Sequence, residues 1–269
     1  MLADLPGHEM WNEPYVGALF GNLYEAQNGD EQGRSFILGP SLRHVWLPSI
    51  RSMVLDGAAA RYPQLLQGGY LVIKEPNGCL GSRLLLEALP ESRVILMLRD
   101  PRDVIASNLD SHRAGSWTAN NPRWRGKTKP VGAADKNPAG FVRHIAGDYM
   151  RNFEVARSAY ESHSGRKVLV KYEDLRKDPL SVIVHTYSEL GIPVGKEELA
   201  QAIERHAWEK IPSEETGSGR FYRKAVPGAW RDDLSGLQVT IVEEGTRPIL
   251  DEFYSHVAMR PSAGALDHG

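Results

Sequence analysis

The sequence predicts an α/β fold with three layers, in which helices flank a mainly parallel central sheet. Tyr70 to Lys74 and Arg93 to Leu98 are short, continuous runs of branched apolar residues, a pattern typical of strands covered on both faces. Val168 to Tyr172 makes a third run, and helical patterns alternate with all three. Ligands of such sheets bind at the carboxyl ends of the strands, so we expect the site there.

The helices between these strands carry start and stop signals. Residues 82–89 follow a glycine and end before a proline, which predicts a short helix and a strand–helix–strand unit. Asp100 caps a second helix, Pro101 fits its first position, and the helix should run to about Ser111. Residues 141–160 repeat apolar positions every three or four residues and predict an amphipathic helix leading to the third strand.

Composition narrows the classes of partner. The formal net charge of −2 provides no global basic field for nucleic acid, so any anion must be held by a local cluster. The single cysteine, Cys79, excludes an intramolecular disulfide and a cysteine-rich zinc site, and it suits a reducing compartment, by default the cytoplasm. No apolar stretch approaches a membrane span of about 20 residues.

The sequence predicts one domain over residues 1–260, followed by a frayed tail at residues 261–269. Residues 112–140 are too long and too rich in Gly, Pro, Asn and Lys for an ordinary connection, which predicts a lid or acceptor-binding loop. Residues 213–226 are also irregular and are basic at their end.

The segment from Arg99 to Ser107 has the composition of a phosphate pocket. It places a guanidinium at the end of a strand, a helix N-terminus directly after it, and a hydroxyl two turns along. Arginine, helix N-termini and serine all bind phosphate oxygens. The alternative is that Arg99 merely pairs with Asp103 and that Ser107 is a surface residue.

A second basic element lies far along the chain. Arg223 and Lys224 precede Gly228, whose missing side chain allows close backbone approach, and the aromatic Trp230. Taken alone, the basic pair would equally suit a solvated charge pair.

The two elements together resemble the sulfotransferases that use 3′-phosphoadenosine-5′-phosphosulfate (PAPS). That family shares an R-(D/N)-P-(R/K)-D-x-x-x-S element and a late R-K-G-x-x-G-D-W-K element, both of which bind the 3′-phosphate of the donor. The resemblance implies that Arg99, Ser107, Arg223 and Lys224 grip this phosphate and that Gly228 belongs to the same donor site. It also implies that the late loop is braced by its tryptophan, that the product is adenosine 3′,5′-bisphosphate (PAP), and that no metal is used.

Two departures from the family pattern concern the late element. Ala225 stands where the family usually has glycine, and Ala229 stands where it has aspartate. The departure at Ala225 puts the close backbone approach of the family at this position in question.

Two further strand ends match the family. Tyr172 opens a Y-E-D-L element, whose tyrosine lies near the adenine in sulfotransferases; the alternative is a core tyrosine. Lys74 is similar in position to the strand-end lysine of the family, which stabilises charge on the leaving phosphate oxygen. The alternative is a surface lysine in a salt bridge.

The general base is assigned to Glu13, by its similarity to a glutamate that some branches of the family carry about one helix after the phosphate loop. Many cytosolic members use a histidine two residues after the strand-end lysine, but this chain has Pro76 there. Glu9 and His8 are rival candidates, and Glu13 could instead be an exposed acid in a turn.

The family also begins with a strand and a P-x-x-G-(S/T)-(S/T) loop that binds the 5′-phosphosulfate, within a P-loop NTPase-like fold. No such loop is visible in this sequence, and residues 1–7 read as the end of the helix that would follow it. We therefore expect the natural start to lie upstream of Met1, with activity of the chain as given impaired.

The resulting hypothesis is a sulfotransferase that moves a sulfonate group from PAPS to a hydroxyl or amine. The acceptor could be a small molecule, a glycan or a lipid, and the oligomeric state is open. The main alternative is a PAP-binding sulfotransferase-like protein without catalysis. A nucleotide kinase would need a G-K-(S/T) loop and acidic magnesium ligands, which the sequence does not show.

Overall fold

The computed structural model describes residues 2–27, 36–76, 78–120 and 133–255. The middle of the predicted lid, 121–132, and the predicted tail, 261–269, lie outside the described residues. The strands are β1 (His8–Asn12), β2 (Tyr70–Lys74), β3 (Val94–Leu98) and β4 (Lys167–Lys171). The longer helices are α1 (Val16–Gln27), α2 (Arg43–Arg61), α3 (Ser82–Ala88), α4 (Pro101–Ser111), α7 (Pro138–Ser162), α9 (Pro179–Leu190), α10 (Lys196–Arg205), α12 (Gly236–Gly245) and α13 (Arg247–Phe253). Short helices are α5 (Trp117–Asn120), α6 (Ala133–Lys136), α8 (Tyr172–Lys177) and α11 (Trp230–Asp233).

The α/β class, the three predicted strands and the helices between them are confirmed, with boundaries shifted by a few residues at most. Every paired strand is parallel. β1 pairs with β2, where Asn12 lies opposite Lys74, and β3 pairs with β4, where Leu98 lies opposite Lys171. The described strands thus form two two-stranded sheets rather than one central sheet.

β2 and β3 are joined by α3 but do not pair with each other among the described strands. Their amino ends are linked by a side-chain contact, because the guanidinium of Arg93 lies 5.1 Å from the centre of the Tyr70 ring. Met97 in the middle of β3 is 53% exposed, which is unusual for a strand between helices. The predicted strand–helix–strand order is therefore present without the expected neighbouring pair.

The N-terminal segment differs from the prediction of a helix end. Residues 2–4 form a single 3₁₀ turn, and a strand follows at once from His8. The sequence H-E-M-W-N has little strand preference of its own, so the pairing with β2 determines its conformation. Glu13 consequently follows a strand and not a helix.

α4 begins and ends where the capping signals predicted. The carboxylate of Asp100 accepts a hydrogen bond from the Arg102 N–H over 2.9 Å, and Pro101 occupies the first helical position. The side chain of Arg102 is 1% exposed and pairs with Asp100 and with Glu243 of α12, at 2.8 and 3.2 Å. These pairs fix the start of α4 against α12.

α7 is the central helix of the fold. It packs against α3, α4, β3 and α12, so it contacts elements that accompany both sheets. The largest buried cluster surrounds it and includes Ile105, Val142, Trp230 and Val242, all fully buried. A second buried cluster lies between α1, α2 and α3. None of the described helices is both long enough and apolar enough to span a lipid bilayer.

Candidate functional site

Arg99 lies directly after β3 and is held by two neighbours. Its backbone carbonyl accepts a hydrogen bond from the Tyr149 hydroxyl over 2.7 Å, and its guanidinium lies 4.6 Å from the centre of the Tyr172 ring. Tyr172 follows β4, so the two side chains meet at the carboxyl ends of paired strands. The Nε of Arg99 is buried and has no hydrogen-bond partner among the described residues. Stacking therefore orients the guanidinium and leaves donors for a ligand.

Asp103 does not hydrogen-bond Arg99 in the described structure. Its two carboxylate oxygens accept hydrogen bonds from the backbone N–H groups of Gly228 and Trp230, over 2.7 and 2.9 Å. Burial raises the pKa of Asp103, although these two hydrogen bonds and the charge of Arg99 act in the opposite direction. The carboxylate thus holds the late loop against α4.

One cavity of about 130 Å³ brings the two basic elements together. This is far more than the roughly 10–15 Å³ that one water molecule needs, so an anion can enter. The cavity is lined by three cations and a hydroxyl, namely Arg99, Arg223, Lys224 and Ser107. It is also lined by aromatic rings, namely Tyr172, Trp208, Phe221 and Tyr222. Residues separated by more than a hundred positions in sequence therefore share one pocket.

The basic pair is fixed by a carboxylate. The guanidinium of Arg223 and the ammonium of Lys224 both donate to Asp233, the latter over 2.7 Å. The side chain of Arg223 is 8% exposed and that of Lys224 is 42% exposed. Burial raises the pKa of Asp233, but the hydrogen bonds from Lys224 and Arg223 outweigh it, so the pKa lies below its usual value. The pair is thus organised rather than freely solvated.

The loop after the basic pair contains two left-handed residues. Ala225 has φ of 51°, a region that favours glycine, and this explains why the family usually has glycine at this position. Gly228 has φ of 82°, and a Cβ there would lie 2.7 Å from an Arg231 side-chain nitrogen. Gly228 does not line the cavity; its N–H donates to Asp103. Its place in the structure is a tight turn into α11.

Trp230 braces the base of this loop, as predicted by the resemblance. The side chain is fully buried, and its ring lies 4.4 Å from the Arg102 guanidinium and 4.5 Å from that of Arg231. Its backbone N–H is one of the two donors to Asp103.

Sequence reasoning missed the aromatic row beside the pocket. Trp117, Phe221, Tyr222 and Trp208 form consecutive edge-to-face pairs with ring centres 5.1 to 6.4 Å apart. Phe221 is 66% exposed, so its ring faces solvent at this site. The sequence signal for this row was the pair Phe221 and Tyr222 directly before Arg223, together with Trp117 in the segment 112–140.

Lys74 and Glu13 lie together at the carboxyl ends of β2 and β1. The ammonium of Lys74 is 2.7 Å from a carboxylate oxygen of Glu13, and the Glu13 N–H donates to the Lys74 carbonyl over 2.8 Å. Glu13 has φ of 52° and Tyr15 has φ of 61°, so the chain turns sharply here. The side chains are 48% and 23% exposed for Lys74 and Glu13. The two residues predicted for catalysis are therefore an ion pair at a strand end.

The rivals for the base lie elsewhere. His8 is buried at the first residue of β1, where its Nδ1 contacts the Pro6 carbonyl over 2.9 Å. Glu9 accepts a hydrogen bond from Gln64 over 2.6 Å. At about 3.3 Å per residue, these two positions are more than 10 Å along the strand from Glu13. Of the three candidates, Glu13 alone lies at the end where Lys74 lies.

Glu75, beside Lys74, is a carboxylate that sequence reasoning passed over. One of its oxygens accepts a hydrogen bond from the Gly17 N–H over 3.0 Å at the start of α1. The other oxygen is buried without a hydrogen-bond partner among the described residues. Burial raises the pKa of Glu75, backbone hydrogen bonds from Gly17 and Tyr15 act in the opposite direction, and the nearby charge of Glu13 adds to the increase. Its burial depends on the packing of α1, which the sequence pattern did not reveal.

Within the described ranges, no group of three or more His, Cys, Asp and Glu side chains is placed to hold a metal ion. The groups assembled around the cavity are instead cations and aromatic rings, which suit an anionic ligand with a flat ring.

Comparison with known proteins identifies the family. The family model described as "Sulfotransferase domain" matches residues 81–254, well over half of the chain. Carbohydrate sulfotransferase 2 of Homo sapiens is 25% identical over 181 residues, which cover 64% of this chain and 32% of that protein. The chain thus aligns with about a third of the length of this relative. The family match includes all the residues that line the cavity, whereas Glu13 and Lys74 precede it. This protein belongs to the sulfotransferase domain family.

Proposed function

We propose that this protein transfers a sulfonate group from PAPS to a hydroxyl or amine acceptor. The observation that carries the proposal is the convergence of Arg99, Ser107, Arg223 and Lys224 on one cavity. The acceptor class, whether small molecule, glycan or lipid, is part of the proposal; the matched relative is named as a carbohydrate sulfotransferase.

The charges of the pocket suit a 3′-phosphate. Arg99, Arg223 and Lys224 bring three positive charges and Asp233 one negative charge, which together match a phosphate dianion. Arginine donates in a fork that fits phosphate oxygens, and lysine and serine add further donors.

The aromatic rings beside the cations suit the adenine of the donor. Tyr172 and Trp208 both line the cavity, and stacking of a base on such rings contributes about 1–3 kcal/mol each. A flat base next to a phosphate is the ligand that this combination of side chains binds best. This supports a nucleotide over a simple inorganic anion.

The ion pair at the end of β2 supplies the groups for the transfer. The acceptor oxygen or nitrogen forms a bond to sulfur while the bond from sulfur to the 5′-phosphate oxygen breaks. Glu13 takes the acceptor proton, and Lys74 stabilises the negative charge that develops on the leaving phosphate oxygen. Because Lys74 and Glu13 pair in the described structure, substrate must separate them or bind between them.

We also propose that the 5′-phosphosulfate is held by a further parallel strand and loop between β2 and β3. Among the described strands, the edges of β2 and β3 that face away from β1 and β4 are unpaired. A strand there would pair the free backbone N–H and C=O groups along both edges, so it would stabilise both sheets. Without such a strand and loop, we expect transfer activity to be impaired.

The alternative is a protein that binds PAP but does not catalyse transfer. The observation that favours it is the mutual neutralisation of Lys74 and Glu13. It predicts tight PAP binding with no transfer to any acceptor, even in a protein with the complete sheet.

Calorimetric titration of PAP into the full chain tests the donor site. Arg99→Ala and Arg223→Ala should each weaken binding about 10- to 150-fold, because a charged hydrogen bond contributes about 1.5–3 kcal/mol. Arg151→Ala is the matched control, since this arginine is 62% exposed on α7 and pairs with Asp148. Unchanged PAP affinity in both pocket variants would remove the donor-site assignment.

A further inference from the structure

Three residues of α4 lie on one face of the helix, of which two hold the late loop, residues 217–230, and one lines the cavity. Asp103, Ser107 and Asp110 are spaced by four and three residues, which places them in one row. Ser107 lines the cavity, whereas Asp103 and Asp110 lie on either side of it in the row. Both carboxylates are buried, with 0% and 8% exposure.

The carboxylates are buried because the late loop supplies their partners. Asp103 accepts from the N–H groups of Gly228 and Trp230. Asp110 accepts from the Ser218 hydroxyl over 2.6 Å and from the Gly219 N–H over 2.7 Å. Asp110 lies in the last turn of α4, where a negative charge opposes the helix dipole. Local helix stability therefore does not explain Asp110, but the contact with the loop does.

The contact between Asp110 and Gly219 is connected to the basic pair through the backbone. The Gly217 N–H donates to the carbonyls of Tyr222 and Arg223, over 2.9 and 3.1 Å, and closes residues 217–223 into a compact turn. The Gly219 carbonyl in turn accepts from the Trp117 N–H over 2.8 Å. A loss of the Asp110 contact would consequently move the backbone that carries Arg223.

The loop between the two anchors, residues 219–228, forms an arch that is attached to α4 at both ends. Gly219 and Gly228 are its ends, and Arg223 and Lys224 lie four residues from the nearer end on either side. The anchoring carboxylates are seven residues apart on α4, which is about 10 Å along a helix. The basic pair lies midway between the two anchors in sequence, and it lines the same cavity as Ser107, the middle residue of the row.

We propose that Asp103 and Asp110 are positioning residues that hold both ends of this arch on α4 and so place Arg223 and Lys224 against Arg99 and Ser107. The effect on ligand affinity rests on the proposed function, since it requires the cavity to bind a nucleotide 3′-phosphate. The four hydrogen bonds that attach the arch and its flanking residues to Asp103 and Asp110 form a clamp, and this clamp does not require the ligand.

Asparagine substitutions at the two positions have different expected effects. In Asp110→Asn, the amide oxygen can still accept from Gly219 and the amide nitrogen can donate to the Ser218 hydroxyl, so both bonds survive. In Asp103→Asn, both partners are N–H donors, so the amide nitrogen faces a donor and one bond is lost. Asp110→Ala removes both bonds at its anchor. Asn108→Ala is the matched control, because among the described residues the Asn108 side chain donates to the Val104 carbonyl of its own helix and not to the late loop.

The experiment compares adenosine 3′-monophosphate with adenosine 5′-monophosphate as probes of the full chain. Asp103→Asn and Asp110→Ala should weaken binding of the 3′-monophosphate roughly tenfold or more, with the 5′-monophosphate changed by less than about twofold. Asp110→Asn and Asn108→Ala should bind both probes like the wild type. An equal loss for both probes would mean a general structural defect and would overturn the positioning role.

Hydrogen exchange of the loop amides gives a readout that needs no ligand. The Gly219 amide should exchange faster in Asp110→Ala, and the Gly228 and Trp230 amides should exchange faster in Asp103→Asn, while α9 stays protected. Wild-type exchange rates in these variants would overturn the clamp. If the wild type binds neither probe, the proposed function fails, but the exchange rates still decide the clamp. If Asp103→Asn does not fold, the comparison of Asp110→Ala with Asp110→Asn decides it.

Discussion

The carboxylate of Asp233 accepts a hydrogen bond from the Lys224 ammonium over 2.7 Å while its other oxygen accepts from Arg223. The same two cations line the candidate phosphate cavity. A bound phosphate and Asp233 would therefore share donors and repel each other, so this carboxylate stabilises the protein without ligand.

We expect Asp233→Asn to lower the free energy of unfolding by about 1–3 kcal/mol, because the mostly buried Arg223 loses its charged partner. PAP should then raise the melting temperature more in the variant than in the wild type, since the repelling charge is gone. Differential scanning fluorimetry with and without PAP measures both effects. An equal or smaller ligand shift in the variant would contradict the shared-donor interpretation.

Tyr172 should act through its ring face. Tyr172→Ala should weaken PAP binding by about 1–3 kcal/mol, because both the base and the Arg99 guanidinium lose a stacking surface. Tyr172→Phe keeps the ring and serves as the control, with an expected change of less than threefold. Calorimetry distinguishes the two, and a large loss in the phenylalanine variant would assign the effect to the hydroxyl.

Ala225→Gly should be neutral or stabilising. Alanine at φ of 51° carries a strain of about 1–2 kcal/mol, and glycine removes it at an entropic cost of about 0.5–1 kcal/mol. We expect the free energy of unfolding in urea to rise by up to about 1 kcal/mol, with PAP affinity unchanged or improved. Ala229→Gly is the comparison, since Ala229 has φ of −62° and should lose stability. Destabilisation by Ala225→Gly would argue against the left-handed turn.

Glu75 should make stability depend on pH. Because burial raises its pKa in the folded state, the folded state binds the proton more tightly than the unfolded state, and stability falls as pH rises through the window above 4.5. Glu75→Gln removes this titration, so the melting temperature of the variant relative to wild type should increase between pH 4 and pH 7. Glu154→Gln is the control, because Glu154 is exposed on α7. A pH-independent difference would contradict the burial.

Lys74 and Glu13 should both affect turnover, but only Lys74 should also affect PAP affinity. In a protein with the complete sheet, Lys74→Met and Glu13→Gln should each lower kcat by about 10² to 10⁴. Glu13→Gln should change the Kd for PAP by less than about threefold, whereas Lys74→Met should weaken PAP binding, because the leaving oxygen is part of its 5′-phosphate. Glu9→Gln is the control, because Glu9 lies near the other end of the same strand. If Glu13→Gln turns over like the wild type, Glu13 is not the general base, and Glu9 and His8 become the candidates.

Local signals sufficed for the elements that frame the site. The start of α4 could be predicted to the residue because a capping aspartate and a proline act within its first turn, whereas its end was predicted only approximately. β2 and β3 were recognisable because continuous apolar runs are typical of strands covered on both faces, although most of their residues are only half-buried in the structure. The grouping of Arg99 with Arg223 was predicted from family resemblance, and the structure brings both to one cavity.

Long-range contacts account for what the sequence did not reveal. β1 forms because β2 offers a parallel edge, not because its own residues favour strands. Asp110 resembled any polar helix residue, and its role depends on a glycine 109 positions later. One carboxylate oxygen of Glu75 is buried, and the other accepts a hydrogen bond from the first turn of α1, a contact that the local sequence does not reveal.

The clamp between α4 and the late loop joins residues 125 positions apart. Such a contact forms only after the intervening helices have assembled, so a partly folded chain lacks the complete cavity. Ligand binding then selects the fully assembled protein, and saturating nucleotide should stabilise the whole domain by mass action. The fraction of molecules that bind nucleotide therefore reports the fraction of molecules that have completed folding.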